Sequence, residues 1–211
     1  MKSDMEVKSL VIPTPEGPLL IEGPVCSELM STLEFDTGLR AFRPPKRQKE
    51  ALLGIVQLEE GRVIIARIEQ RLLGYVTFHR PDPFERWSKG PTELLELGAI
   101  EVSPKFRHFG VGRKMLEVAF SDRAMENYLV VATEYYWHWD LEGTGLHIWE
   151  YREIMRQLMS HIGMVIKDTD DEEIVSHPAN MLMVRYGENV KKMAILDFER
   201  ILFERPDSNR G

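Results

Sequence analysis

The chain has one cysteine, Cys26, in 211 residues. No intramolecular disulfide can form and no cysteine-rich zinc cluster can be assembled, which excludes a secreted disulfide scaffold. Long apolar runs are also missing. Nothing approaches 18 consecutive apolar residues, so no transmembrane helix and no membrane partner are expected. The opening MKSDMEVKSLVIPTPEG places Asp4, Glu6 and Pro13 where a signal peptide needs an apolar core, and a cytoplasmic protein is expected. An excess of positive charge is absent too: 27 Lys and Arg face 34 Asp and Glu, a net charge of −7. Nucleic-acid phosphates demand a clustered basic surface, so no nucleic-acid partner is expected. There is no repeat at a solenoid period and no low-complexity linker, so residues 1–211 read as a single domain.

What is present is 43% hydrophobic residues in patterns of both periods. Residues 10–22 read as two short strands around the turn Thr14-Pro15-Glu16-Gly17. Pro44-Pro45 precedes a helical pattern in which Ala51, Leu52, Ile55 and Val56 share a face. Val63–Ile68 and Leu72–Phe78 read as an antiparallel hairpin, Pro81-Asp82-Pro83 breaks the pattern, and 93–102 is the next strand. Gly110–Arg123 is an amphipathic helix, Tyr128–Thr133 a buried strand, Leu146–His161 a second long helix ended by Gly163, and Met164–Ile166 a strand. The order ββ-α-β-β-β-α-β-α-β with a mixed tail predicts an α/β or α+β fold, a sheet with helices packed on it. The methionines at 155, 159, 181 and 183 read as core filler.

Chemistry concentrates in residues 100–116, where a strand runs through a short loop into a helix bearing Gly110 and Gly112. Glycines let backbone N–H groups approach an anion closely, and a helix N-terminus adds free donors and partial positive charge. Lys105, Arg107, His108, Arg113 and Lys114 reverse the sign of the chain locally. The segment therefore predicts a phosphate or pyrophosphate ligand. It is not a P-loop, since neither glycine is followed by Lys-Ser or Lys-Thr. It departs from the dinucleotide pattern G-x-G-x-x-G at Met115, although Glu134 lies about the right distance downstream for a ribose contact. A ligand-free capping loop is the remaining alternative.

Arg107-His108-Phe109-Gly110-Val111-Gly112 matches, and so resembles, the signature [RQ]-x-x-G-x-[GA] of the GCN5-related N-acetyltransferases (GNAT). Val102-x-Pro104 before the loop and the helix-end Gly-apolar pattern of Leu158–Met164 resemble the same family. The resemblance implies a mixed central sheet splayed at the cofactor cleft, helices on both faces, a core over about 18–168, and a C-terminal extension, 169–211, that completes the fold. It implies acetyl-CoA as cosubstrate and no metal. The backbone amides of Ile100, Glu101 and Val102 and the segment Arg107, His108, Phe109, Gly110, Val111, Gly112 and Arg113 would bind it.

Further stretches, among them Ala41-Phe42-Arg43-Pro44-Pro45, Leu97-Gly98-Ala99-Ile100-Glu101-Val102, Ser176-His177-Pro178-Ala179-Asn180 and the aromatic run Glu134-Tyr135-Tyr136-Trp137-His138-Trp139-Asp140, resemble an acetoin-utilization branch of that family along nearly the whole chain. That resemblance implies a protein lysine acetyltransferase whose substrate is acetyl-CoA synthetase. Acetylation of a small free amine and a non-catalytic acetyl-CoA-binding module are the alternatives.

Acetyl transfer needs a neutral amine, and a lysine of pKa about 10.4 costs ~4.6 kcal/mol to deprotonate at pH 7. Glu96, 11 residues before Arg107, stands where histone acetyltransferases of the family carry their base. Glu101 competes for that role but has the opposite strand parity and is expected to face away. The family tyrosine that protonates the leaving thiolate is replaced by Met159, so Tyr151, Tyr135, Tyr136 and solvent are the candidates for the acid, with Tyr151 the first choice. Trp137, His138, Trp139 and Asp140 read either as a wall gripping the acceptor or as packing under a loop. His138, Asp140 and His147 meet no metal-ligand spacing, and Cys26 is too far from the motif in sequence to serve as an acyl carrier.

Overall fold

The computed structural model describes residues 5–203. The ends of the expected domain, 1–4 with Asp4 and 204–211 of the expected extension, lie outside the described residues. Turn chemistry opens the fold: Pro15-Glu16 joins strands β1 (Lys8–Thr14) and β2 (Gly17–Gly23), with Gly17 at φ 118, a conformation few other residues adopt. Helix α1 (Ser27–Thr32) and a two-residue strand β3 (Glu34–Phe35) follow; both are too short to leave a periodic signal. Pro45 enters α2 (Pro45–Gln57) in its first turn, where its missing N–H costs nothing. The β-rich runs form β4 (Arg62–Ile68), β5 (Arg71–His79) and β6 (Leu94–Val102).

Next come α3 (Val111–Phe120), β7 (Leu129–Glu134), α4 (Leu141–Thr144), α5 (Ile148–Ser160) and β8 (Val165–Lys167). The mixed tail resolves into α6 (Glu172–Val175), β9 (Met181–Tyr186) and α7 (Lys192–Ile201). The sheet order is β1-β2-β4-β5-β6-β7-β9-β8, with β3 pairing β5 alongside the end of β6. It is mixed: β6–β7 and β3–β5 are parallel and the other pairs antiparallel.

Helices cover both faces, as expected. On one face α3 buries Val111, Met115, Leu116, Val118 and Ala119, and α5 packs Tyr151, Met155 and Leu158 beside them. Each such burial contributes roughly 1.5–3 kcal/mol for a large side chain. Met159, Met181 and Met183 are fully buried there. The opposite face holds two clusters, one under α1 and α2 around Tyr75, the other under α6 and α7 around Trp87 and Phe198.

The sheet opens at its centre. Strands β6 and β7 pair only at Leu94–Glu96 against Leu129–Val131. Beyond that point β6 stays with β5 as far as Val102↔Gly74, while β7 stays with β9 as far as Glu134↔Met181. Alternate N–H and C=O groups of 97–102 therefore face a gap instead of a strand.

Candidate active site

A bulge marks the point of opening. Thr77 pairs with Ala99 and Phe78 with Leu97, which leaves Gly98 as an extra residue in β6. A side chain there would collide with His79, whose Nε2 lies 2.3 Å from the position of a Cβ. The bulge resets the alternation of side chains. Leu97, Ile100 and Val102 join the core under α3, whereas Ala99 and Glu101 turn to the other face. Glu96 and Glu101 consequently share a face despite their opposite parity, which corrects the expectation that parity separates them. Their partners separate them instead. Glu101, 4% exposed, accepts from Tyr75 Oη and from the Ala41 amide at 2.7 Å, so it anchors the loop that carries Phe42. The Phe42 ring meets His138 edge-on at 5.8 Å.

Between β6, α3, α5 and the end of β7 lies a cleft of about 300 Å³. The glycine segment forms one wall. Pro104–Phe109 is a 3₁₀ turn, Gly110 takes the left-handed conformation (φ 70, ψ 21), and α3 starts at Val111. The first helical hydrogen bond runs from Lys114 N to Gly110 O, so the amides of 111–113 have no helical acceptors. A Cβ on Gly112 would make only ordinary van der Waals contact, 3.6 Å from Ile100 Cδ1 at the nearest.

The basic side chains behave differently from expectation. Arg107 Nη1 donates to Asp140 Oδ2 at 2.6 Å and its Nε to Val102 O at 3.1 Å. Arg113 and Lys114 both reach Glu117, which also meets His161. Those hydrogen bonds, the one from Lys114 foremost, pull the Glu117 carboxyl down to about 2. Arg107, Arg113 and Lys114 are thus each paired with a carboxylate, and the helix-end amides are left to attract an anion beside exposed Lys105.

The far wall is the aromatic run. Trp139, 9% exposed, stacks on Tyr151 at 5.4 Å and donates Nε1–H to Glu134 Oε2 at 3.1 Å. Burial pushes the Glu134 carboxyl up to about 7 against that hydrogen bond, and burial also raises the Tyr151 hydroxyl. Tyr135 stacks on Trp137 at 4.7 Å, and burial raises it as well. Trp139 and Asp140 are struts, as packing under a loop requires, and together with His138 they line the cleft.

Glu96 lies behind the cleft, on the α7 side of the sheet, and is 8% exposed. Burial first, then the nearby Glu85 charge, push its carboxyl up to about 8. Glu85 lines a second, wide cleft of about 1250 Å³. The acidic run 170–173 faces it together with Glu85, against the cations Arg86, Lys89 and Arg200. Tyr135, just past the end of β7, lines both clefts. Among the described residues no three His, Cys, Asp or Glu side chains group as a metal site.

Residues 28–138 match the family model described as acetyltransferase (GNAT) family. The chain belongs to the GNAT acetyltransferase family. Acetoin utilization protein AcuA of Bacillus subtilis (strain 168) is 53% identical over 193 residues, 91% of this chain and 92% of that protein. The crystal structure of an acetoin utilization protein from Exiguobacterium sibiricum 255-15 is 51% identical, covers 94% of each chain and superposes with a TM-score of 0.92. The fold extends to yncA from Salmonella typhimurium, solved with its cofactor acetyl-CoA, at 12% identity and a TM-score of 0.50 over 95% of this chain and 99% of that one. As a GNAT enzyme the chain is an acetyl-CoA-dependent N-acetyltransferase.

The GNAT cleft suits acetyl-CoA by its own chemistry: an unpaired strand edge, three donor amides at a helix end, and room kept by Gly112. Of the residues expected to bind it, Ile100, Glu101, Val102, Arg107, Gly110, Gly112 and Arg113 line the cleft. His108 points to solvent, while Phe109 and Val111 pack into the core, so these three can contribute only through the backbone. Tyr151 lines the cleft, but Glu96 does not; the two flank β6 from opposite faces. Sequence reasoning passed over Glu85, which follows the Pro81-Asp82-Pro83 break in a stretch given no reading. It took Glu134 only as a ribose ligand, and it missed Asp140 as the partner of Arg107.

Proposed function

We propose that this enzyme is a protein N-ε-lysine acetyltransferase that acts in the cytoplasm on a lysine of acetyl-CoA synthetase and inactivates it, within the control of acetoin and acetate metabolism. One observation carries the reading: a wide cleft with more carboxylates than cations meets the glycine-segment cleft at Tyr135, which lines both. A cleft of about 1250 Å³ admits a polypeptide, and its excess of carboxylates attracts a cationic, lysine-bearing segment. Phe84, 98% exposed at its rim, offers an apolar contact to the segment's aliphatic stems. The name of the AcuA relatives supports the metabolic setting.

In this reading the amides of 111–113 would hold the pyrophosphate, and the amides of Ile100–Val102 would face the acetyl group. Acetyl-CoA, when bound, supplies an electrophilic thioester carbonyl. Donors on the free edge of β6 are fixed before charge develops on that carbonyl and so need no reorganisation. Glu96 takes a proton from the incoming ammonium. A base raised to about 8 is better matched to an amine near 10.4 than an ordinary carboxylate is. Tyr151 is the first candidate for the proton donor on the thiol side, since Met159 is buried core. The chain is one domain in this reading: 18–168 forms the transfer core, and the segment from 169 supplies β9 behind β7 and the acidic run of the second cleft.

The test is to incubate purified synthetase with this protein and acetyl-CoA, then measure adenylation activity and locate acetyl-lysine by mass spectrometry. Loss of activity with one modified lysine is expected. Acetylation of a free small amine, with the synthetase unmodified and active, overturns the reading.

A further inference from the structure

Three carboxylates line the cleft at the glycine segment: Glu101, Glu134 and Asp140. Two are fully engaged. Glu101 accepts at one oxygen from the Ala41 amide and at the other from Tyr75 Oη; Asp140 accepts at one from Gly143 N and at the other from Arg107 Nη1. Glu134 is engaged at one oxygen. Its Oε2 accepts Nε1–H of Trp139 at 3.1 Å, and among the described residues no donor meets its Oε1. Trp139 is a fixed donor, since its ring is buried and stacks on Tyr151 at 5.4 Å. The hydrogen bond thus holds one oxygen in place and leaves the other to the cleft.

The strand sets where that oxygen lies. Val130 and Ala132 join the core under α3 and α5, and the alternation of β7 puts Glu134 on the same face. Pairing of β6 with β7 ends at Glu96↔Val131. Carried three residues further, that register sets Glu134 level with Ala99, or with Ile100 once the extra Gly98 is allowed for. Glu134 therefore stands across the gap from the unpaired edge of β6. The next residue, Tyr135, is the one where the wide cleft begins. A carboxylate with an open oxygen repels the phosphates of a polyanionic cofactor and suits a cationic occupant. In amine acetylation that occupant is the acceptor, which arrives as an ammonium.

We propose that Glu134 binds the ammonium group of the acceptor and holds it at the free edge of β6, beside the thioester. The assignment rests on the reading above for an amine acceptor, and not for the synthetase as its source. Glu134 holds the cation; removal of its proton is left to the base. Burial keeps the empty carboxyl hard to ionise, and an ammonium in contact draws it into its charged form. An uncharged group of the same shape gains no such partner, so the cleft selects a primary amine over the matching alcohol.

The experiment is a titration of nitrogen-15-labelled protein, saturated with CoA at pH 8, with butylammonium chloride. The indole N–H resonance of Trp139, assigned with Trp139→Phe, is followed by NMR. A saturable shift is expected, absent with 1-butanol and absent in Glu134→Gln. No shift in the native protein overturns the assignment. In steady state with purified acetyl-CoA synthetase as acceptor, Glu134→Gln should raise the acceptor KM about 10-fold or more while kcat changes less than about 3-fold. Glu134→Asp should recover part of that loss, and acetyl-CoA affinity by calorimetry should stay native in both variants. A fall in kcat at unchanged acceptor KM overturns the binding role. An unmodified synthetase overturns the function proposed above and leaves the titration to decide on Glu134, so the two failures are distinct.

Discussion

Arg107 is held by Asp140, Nη1 to Oδ2 at 2.6 Å, across the cleft from the strand whose Val102 carbonyl its Nε also binds. The signature arginine is a clamp between two walls. Asp140 is tied further, since its Oδ1 accepts from Gly143 N at 3.0 Å and caps α4. The Asp140→Ala variant should lose both a half-exposed ion pair and a helix cap, about 1–3 kcal/mol together. Acetyl-CoA affinity should drop about 10-fold as the walls drift. Denaturant melts and calorimetric titration check the two effects, and Asp140→Asn, which keeps a capping oxygen, should be milder in both.

The two signature glycines should fail differently. Gly110 sits at φ 70, so Gly110→Val strains the backbone and should cost about 1–2 kcal/mol of stability. Gly112 is an ordinary helical residue with room for a Cβ, so Gly112→Leu should melt near the native temperature yet bind acetyl-CoA at least 10-fold more weakly. Native affinity in a folded Gly112→Leu protein would remove the helix end as the pyrophosphate site.

Glu96→Gln should lower kcat by about 10²-fold or more with little change in acetyl-CoA affinity. Raising the pH should recover part of the loss, because more of the acceptor is then neutral without help. Steady-state rates from pH 7 to 9.5 measure this, and a loss confined to KM would argue for a binding role instead.

Stability should fall as pH rises through the weakly acidic range. Glu96 and Glu134 are raised from 4.5 to about 8 and about 7 by burial. Below about pH 4.5 both are protonated in folded and unfolded chains, and neither imposes a penalty. Between 4.5 and 7–8 the unfolded chain releases protons that the folded one keeps, so folding loses ground; above 8 the penalty is constant. Glu96→Gln and Glu134→Gln should each raise stability by about 1–3 kcal/mol at pH 8.5 and by almost nothing at pH 4. Glu117 works at the other end: held down to about 2, it contributes stability above 4.5 that is lost as pH falls toward 2. Chemical denaturation at three pH values separates these contributions.

Local pattern was enough for much of the fold. The hairpins, α3 and α5 followed from turn residues and apolar periodicity, because each buries a face against one neighbour. The tail was illegible for the opposite reason. Strand β9 pairs with β7, some fifty residues earlier, and α6 has only four residues to show a period. In the site, the signature hexapeptide located the helix end but not the state of its charges. Whether Arg107 is free depends on Asp140, 33 residues away. Gly98 did carry a readable signal, an isolated glycine inside a strand pattern, and reading it as a bulge would have placed Glu96 and Glu101 on one face.

The sheet order has a consequence for the cost of binding. β7 is paired along all six residues to β9, and β6 remains paired to β5 past the point where the two diverge. Each bank of the gap is moored from behind, by its other neighbour. The width of the opening is therefore a property of the empty protein, and a ligand entering it has no strand to pry apart. Little conformational work is charged against its affinity, so the binding enthalpy and heat capacity should report contact alone and not folding.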